Sequence, residues 1–187
     1  MKKLFLVIFA LCMGIAHATP ILFIHTGSGS GSLDGVSFDN AAFTITSYAD
    51  TDDRDSYSAG YFIHHLSSMI EIEGVGVLNL VTATRTFVNN NSSIVGYSRS
   101  SGADLFNGPV NAAFNVWDML SSIGPIFGNA SLLQWTLSDV VTDQGVLIFD
   151  SGSSNASFQA ITIPTPHALM LLGAGLLMFS LRKKIVD

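Results

Sequence analysis

Four carboxylates crowd into six positions at 50–55: Asp50, Asp52, Asp53 and Asp55, with Thr51 and Arg54 among them. Calcium takes clustered oxygen ligands of this kind on a loop. The spacing is not that of an EF-hand, because Arg54 holds the fifth position and Asp55 the sixth, where that motif requires glycine. The run therefore reads first as a solvated turn, with calcium at these four aspartates as the alternative; no other cofactor is expected. The histidines give no metal spacing. His64 and His65 are adjacent, so on a strand they point to opposite faces and cannot chelate one ion together. His25 stands far from both in sequence, and His17 and His167 belong to the chain ends.

Nucleophilic chemistry has no better footing. Serines are abundant, but no Gly-x-Ser-x-Gly elbow is present, and an activated serine needs a base and an orienting acid. A carboxylate pair for glycoside hydrolysis could come from any of the acidic residues. The segment Thr26-Gly27-Ser28-Gly29-Ser30-Gly31-Ser32 is rich in glycine, yet it completes neither the dinucleotide fingerprint nor a phosphate loop ending in Lys-Ser/Thr. It reads as a flexible or edge segment. Trp117, Trp135 and the tyrosines could stack on sugars, although aromatics in alternating strands are more often core. No catalytic residue is assigned.

The elements that would position these residues are strands. Short apolar stretches are separated by glycine, serine and asparagine. Residues 42–48 alternate, with Phe43 and Ile45 inward; 70–73 alternate with Glu71 and Glu73 outward. Residues 80–88 place Val81, Ala83, Arg85 and Phe87 on one side and Thr82, Thr84 and Thr86 on the other. Further strands are predicted over 114–119, 132–137, 145–149 and 157–163. Turns are predicted at Asp34-Gly35, Asn89-Asn90-Asn91, Asn107-Gly108-Pro109 and Asp150-Ser151-Gly152. No helical period is sustained between the two ends. The expected fold class is all-β: an antiparallel sandwich-like exported domain over 19–163, with a β-roll or barrel as the alternative.

Charge sets limits on partners. The 187-residue chain carries eight basic and fourteen acidic residues, and five of the eight basic ones sit in its ends. Residues 19–163 keep Arg54, Arg85 and Arg99 against thirteen carboxylates, a formal net charge of −10. Such a surface repels a phosphate backbone, so nucleic acid is not an expected partner. The single cysteine, Cys12, lies in the N-terminal apolar run, preceded by Leu11 rather than by the small residue a lipoprotein signal needs. Residues 19–163 therefore hold no thiol, and packing alone must stabilise them.

Both ends carry targeting patterns. Lys2 and Lys3 precede an apolar run over 4–15, and Ala16-His17-Ala18 supplies small residues where signal peptidase reads, so 1–18 is predicted to be a signal peptide cleaved before Thr19. At the other end, Pro164-Thr165-Pro166 leads into an uncharged apolar stretch over 168–181, closed by Arg182, Lys183 and Lys184. As a helix that stretch would be about 21 Å long. Pro166 suits its first turn, and snorkelling of the basic residues would extend it toward a core of about 30 Å. The basic cluster marks the cytoplasmic end and leaves 19–163 outside.

The segment 164–187 closely resembles the PEP-CTERM sorting signal of Gram-negative bacteria, which joins Pro-Glu-Pro, a short transmembrane helix and a basic cluster. Leu171-Leu172-Gly173-Ala174-Gly175-Leu176 matches the family's apolar segment, and Thr165 replaces the central glutamate. Looser likenesses are Leu33-Asp34-Gly35-Val36-Ser37-Phe38, Phe43-Thr44-Ile45-Thr46, Asp50-Thr51-Asp52 and Trp117-Asp118-Met119 followed by Ile123-Gly124-Pro125. The resemblance implies an exosortase-type sorting enzyme and the membrane as partners. Pro164, Thr165 and Pro166 would be its recognition element and Arg182, Lys183 and Lys184 the stop. It also implies passage through the inner membrane to the cell surface or extracellular matrix. The leading expectation is a non-catalytic surface or matrix protein; the others are a module binding extracellular polysaccharide or calcium, and a secreted hydrolase.

Overall fold

A computed structural model of the protein describes residues 19–152 and 155–164. The predicted signal peptide with Ala16 and Ala18, and Thr165, Pro166, Arg182, Lys183 and Lys184 of the predicted sorting segment, lie outside the described residues. No helix among the described residues is long and apolar enough to cross a membrane.

The body is all-β and antiparallel, in one sheet that curls into a half-barrel. Its strands are β1 (Pro20–Leu33), β2 (Val36–Tyr57), β3 (Gly60–Ile72), β4 (Gly76–Asn79), β5 (Thr84–Asn89), β6 (Ile94–Arg99), β7 (Asp104–Val110), β8 (Ile123–Gly128), β9 (Ser131–Leu132), β10 (Val140–Thr142), β11 (Gly145–Gly152) and β12 (Ala156–Thr162). The order is β10-β11-β1-β2-β3-β5-β6-β7-β9, with β12 joining β1 and β8, and β4 joining β3. One continuous sheet thus takes the place of two separate ones, nearer the β-roll or barrel alternative. Closure comes from the three longest strands. β1 pairs in succession with β12 and then β11, and β3 with β5 and then β4, while β2 lies between them with β1 on one side and β3 on the other.

The β1–β2 hairpin turns on Asp34 (φ 48°) and Gly35 (φ 82°), the positive-φ pair of a two-residue turn. Its alternation is the predicted one: Phe43, Ile45, Ile70 and Ile72 are buried, and Glu71 and Glu73 are exposed. The inner face holds two apolar clusters. One gathers Phe43, Ile45, Leu105, Phe106, Trp135 and Phe149. The other gathers Ile21, Phe23, Phe114, Trp117, Met119 and Phe158.

Five local expectations are corrected, the first being the turn at Asp150-Ser151-Gly152, which instead lies in β11 with Ser151 and Gly152 paired to β1. The Gly/Ser stretch 26–32 is not an edge: it is the middle of β1, paired on both sides. Its glycines make room for neighbours. A Cβ on Gly27 would lie 2.6 Å from the Phe43 ring, and one on Gly31 would lie 2.0 Å from the Ile148 carbonyl oxygen. Residues 114–119 form no strand. They follow a 3₁₀ turn at Ala112–Asn115, capped by the Asn111 side chain accepting from the Ala113 amide. Past Leu132, residues 133–137 form a loop in which Leu133 and Leu137 are exposed and Trp135 alone is buried, against Phe149. Asn107-Gly108-Pro109 continues β7 rather than turning, because β6 pairs along it.

Candidate functional site

A polar seam crosses the inner face of the sheet. The threonine side of β5 faces inward, and Thr84 and Thr86 are buried. There they meet His65 from β3, whose Nδ1 lies 2.9 Å from the Thr84 hydroxyl and whose Nε2 lies 3.0 Å from that of Thr86. His25 of β1 approaches the same Thr86 hydroxyl with its Nε2, at 3.3 Å. The Tyr97 hydroxyl of β6 donates to Thr84 at 2.9 Å and lies 2.7 Å from Ser68. Ser68 in turn lies 2.6 Å from Ser47. The seam thus runs Ser47, Ser68, Tyr97, Thr84, His65, Thr86, His25.

Its electrostatics are those of a closed interior. Burial lowers the pKa of His25 to about 3 and raises that of Tyr97 to about 12. His65 is held well below the ordinary histidine value by burial first, then by the neighbouring His25 and His64. These rings are therefore neutral at pH 7. His25 lies between Phe158, Tyr97 and Phe106, with ring centroids at 4.8, 5.7 and 6.0 Å, and its Nδ1 has no partner among the described residues. No carboxylate joins the seam, and the two histidines meet threonine hydroxyls rather than a serine with an orienting acid. The arrangement cross-links five strands and fixes their register.

The outer face of the same strands carries a different grouping. The register aligns His64, Arg85 and Ser98 across β3, β5 and β6, and brings Asp104 of β7 opposite Ser98. Beside that row, Phe62 and Phe87 are paired, and Phe87 folds over Gly96. The Arg85 guanidinium lies 4.5 Å from the centroid of the Phe62 ring, and its Nε donates to Ser98 Oγ at 3.0 Å. Its Nη groups find no acceptor among the described residues. The Asp104 carboxyl accepts no hydrogen bond there either, and burial raises its pKa while Arg85 works the other way. Tyr57 donates its hydroxyl to the Val88 carbonyl at 3.1 Å. Asn89 accepts from the Ser92 amide at 3.0 Å, which leaves its side-chain amide group to donate. Tyr57, Phe62, Arg85, Phe87, Asn89, Gly102 and Asp104 together line an open pocket of about 310 Å³.

The residues singled out in the sequence are distributed as follows. Asp50, Asp52, Asp53 and Asp55 lie in β2, where the register with β3 jumps from Ala49–His65 to Arg54–Ile63. The run is a bulge in a strand rather than a separate turn. Among the described residues no group of three or more His, Cys, Asp or Glu side chains could hold a metal ion. Arg54 instead staples the bulge to the loop after the 3₁₀ turn. Its Nη1 donates to the Asp118 carbonyl at 3.2 Å, and the guanidinium lies 4.6 Å from the Tyr61 ring centroid. Trp117 and Trp135 are not a sugar platform. Both are core residues, 4% and 1% exposed, with indole N–H groups donating to Ser121 and Leu105 carbonyls. Three carboxylates, Asp34, Asp39 and Glu73, line a groove of about 610 Å³ at the β1–β2 turn. All three are exposed, whereas a glycosidase acid keeps its proton in an apolar setting.

His64 and His65 do point to opposite faces, as their adjacency requires. His64 bonds Ser100 outside at 3.0 Å, and His65 bonds the threonines inside. The seam and the outer pocket were not read from sequence. The signal for the pocket was present, since Arg85 is one of only three basic residues in 19–163. No protein-family model matches the chain, no curated protein matches it and no solved structure matches it.

Proposed function

We propose that the protein is an exported, non-catalytic surface protein, secreted through residues 1–18 and held and sorted through residues 164–187. One observation carries the structural side of this reading: the first and last strands of the body are neighbours. Ile21 pairs with Thr162, and the Ile163 amide donates to the Pro20 carbonyl at 2.8 Å. Both terminal segments therefore continue from adjacent strand ends of the body. The −10 charge and the absence of thiol in 19–163 suit an exterior location, where solubility matters and no disulfide need form. The exposed carboxylates of the β1–β2 groove and the enclosed histidines favour binding or structural roles over catalysis.

In this reading Pro164, Thr165 and Pro166 are the element an exosortase-type enzyme recognises, and Arg182, Lys183 and Lys184 stop transfer at the inner membrane. The test is the intact mass and cell fraction of the full chain in its native host, beside a variant ending at Ile163. The expected result is a wild type shortened near Pro164–Pro166 at the surface, and a truncated variant free in the medium. A wild type that keeps its whole tail in the inner membrane would overturn sorting and leave anchoring alone.

A further inference from the structure

We propose that the outer-face pocket formed by Tyr57, Phe62, Arg85, Asn89 and Asp104 binds a neutral hexopyranose unit of a polysaccharide. The chemistry comes from groups left over after the fold has formed. The Nη donors of Arg85 and the carboxylate of Asp104 face one pocket without an ion pair between them and without other partners among the described residues. Water serves these groups at the open mouth of the pocket, so a ligand that displaces it must supply both donors and acceptors. Adjacent sugar hydroxyls do so: two O–H groups donate to a carboxylate while their oxygens accept from a guanidinium. The Asn89 amide adds one more donor. Tyr57 (38% exposed) and Phe62, with ring centroids 6.3 Å apart, supply the apolar wall for the C–H face of a pyranose ring.

Charge selects the kind of sugar. Asp104 would sit against the ring, and the body around it is strongly acidic, so a uronic acid is repelled where a neutral hexose is not. Rigidity favours the same conclusion. Arg85 is fixed by its bond to Ser98 and its contact with Phe62, and the strands beneath are paired on both sides, so little side-chain freedom is lost on binding. The inference stands apart from the sorting reading, since it depends only on the body's outer face.

The test is electrophoresis of the detergent-solubilised full chain through native gels containing dextran, galactomannan or xyloglucan, with alginate as the anionic counterpart. At least one neutral polymer should retard the wild type, and alginate should not. Asp104→Asn should weaken retardation about tenfold without moving the melting temperature, and Tyr57→Ala should weaken it as much while lowering the melting temperature somewhat, because its hydroxyl bonds the Val88 carbonyl. Val36→Ser, at the far hairpin, should change nothing. Arg85→Met keeps the contact with Phe62 and should weaken retardation as Asp104→Asn does, with a lower melting temperature because buried Ser98 loses its donor. Retardation by alginate alone, by none of the neutral polymers, or equally in wild type and pocket variants would overturn the proposal.

Discussion

His25 and His65 couple the stability of the body to pH. Their folded pKa values are depressed by burial, that of His25 to about 3, while in the unfolded chain each titrates near 6.5. Between those limits the unfolded state binds more protons, so stability is complete above about pH 6.5 and falls as pH drops below it. The limiting slope is about 1.4 kcal/mol per pH unit for each histidine. Urea midpoints measured from pH 7.5 to 5, above the carboxylate range, should fall steadily. His25→Phe, which suits the surrounding rings, should flatten the slope by about half; an unchanged slope would remove His25 from the account. Arg99 makes a second residue-scale case. It is 3% exposed and donates to the carbonyls of Gln134 and Trp135 at 2.9 and 3.3 Å, and to that of Ser138. Replacing it with alanine takes a donor from three carbonyls, of which that of Gln134 keeps only a long bond from the Leu137 amide at 3.4 Å. It should cost about 2–4 kcal/mol in urea unfolding, with a shift in Trp135 emission as the loop over 133–139 loosens.

At the scale of elements, what could be read and what could not divide along one line. Alternation identified β2 and β3 and oriented Phe43, Ile45, Ile70 and Ile72 correctly, because apolar side chains at period two have only one sensible face. It left the inward side undecided where the buried face is not apolar. Thr84 and Thr86 face inward because His65, His25 and Tyr97 supply hydroxyl partners from strands distant in sequence. It failed in β1, where glycine and serine suggested a loose edge. There the missing side chains are the fit: Phe43, Phe149 and Leu132 occupy the space above Gly27 and Gly29. Trp117 and Trp135 gave the opposite error, since strands were predicted where exposed loops carry a buried tryptophan. Gly31 tests the close-packing account. An added Cβ would meet the Ile148 carbonyl oxygen at 2.0 Å, and backbone in a doubly paired strand cannot yield. Gly31→Ala should cost about 3 kcal/mol or more. Gly74 has φ +77° and open space around its added Cβ, so Gly74→Ala should cost only about 1 kcal/mol. Equal losses at the two positions would mean that β1 tolerates displacement from its neighbours.

For the molecule as a whole, charge and topology act on the same quantity. The sheet path ends in β9 and β10, strands of two and three residues, so the longer edge is that of β8, six residues paired only with β12. A net charge of −10 over 19–163 keeps copies apart. The same charge opposes compaction, because the body has few cations with which to offset it. Arg99 is committed inside, Arg85 to Ser98 and Phe62, and Arg54 to Asp118, so most surface carboxylates face one another without a counter-charge. Salt should therefore stabilise this protein. Raising sodium chloride from 10 to 150 mM shortens the screening length from about 30 to 8 Å, enough to separate carboxylates on different strands. A gain of about 1 kcal/mol, or a few degrees in melting temperature, is expected at pH 7.5, where the histidines are neutral in both states. One effect works the other way: the Arg54–Asp118 ion pair, at 3.7 Å, is weakened by screening. Its side chains are 29% and 45% exposed, and a pair so placed is worth less than about 1 kcal/mol, too little to reverse the sign. Asp53→Asn and Asp55→Asn, made together on the β2 bulge, should reduce the salt dependence while leaving stability at 150 mM nearly unchanged. If instead stability falls with salt, the Arg54 pair and the Arg85–Asp104 field outweigh the general repulsion, and the acidic surface does not govern compaction.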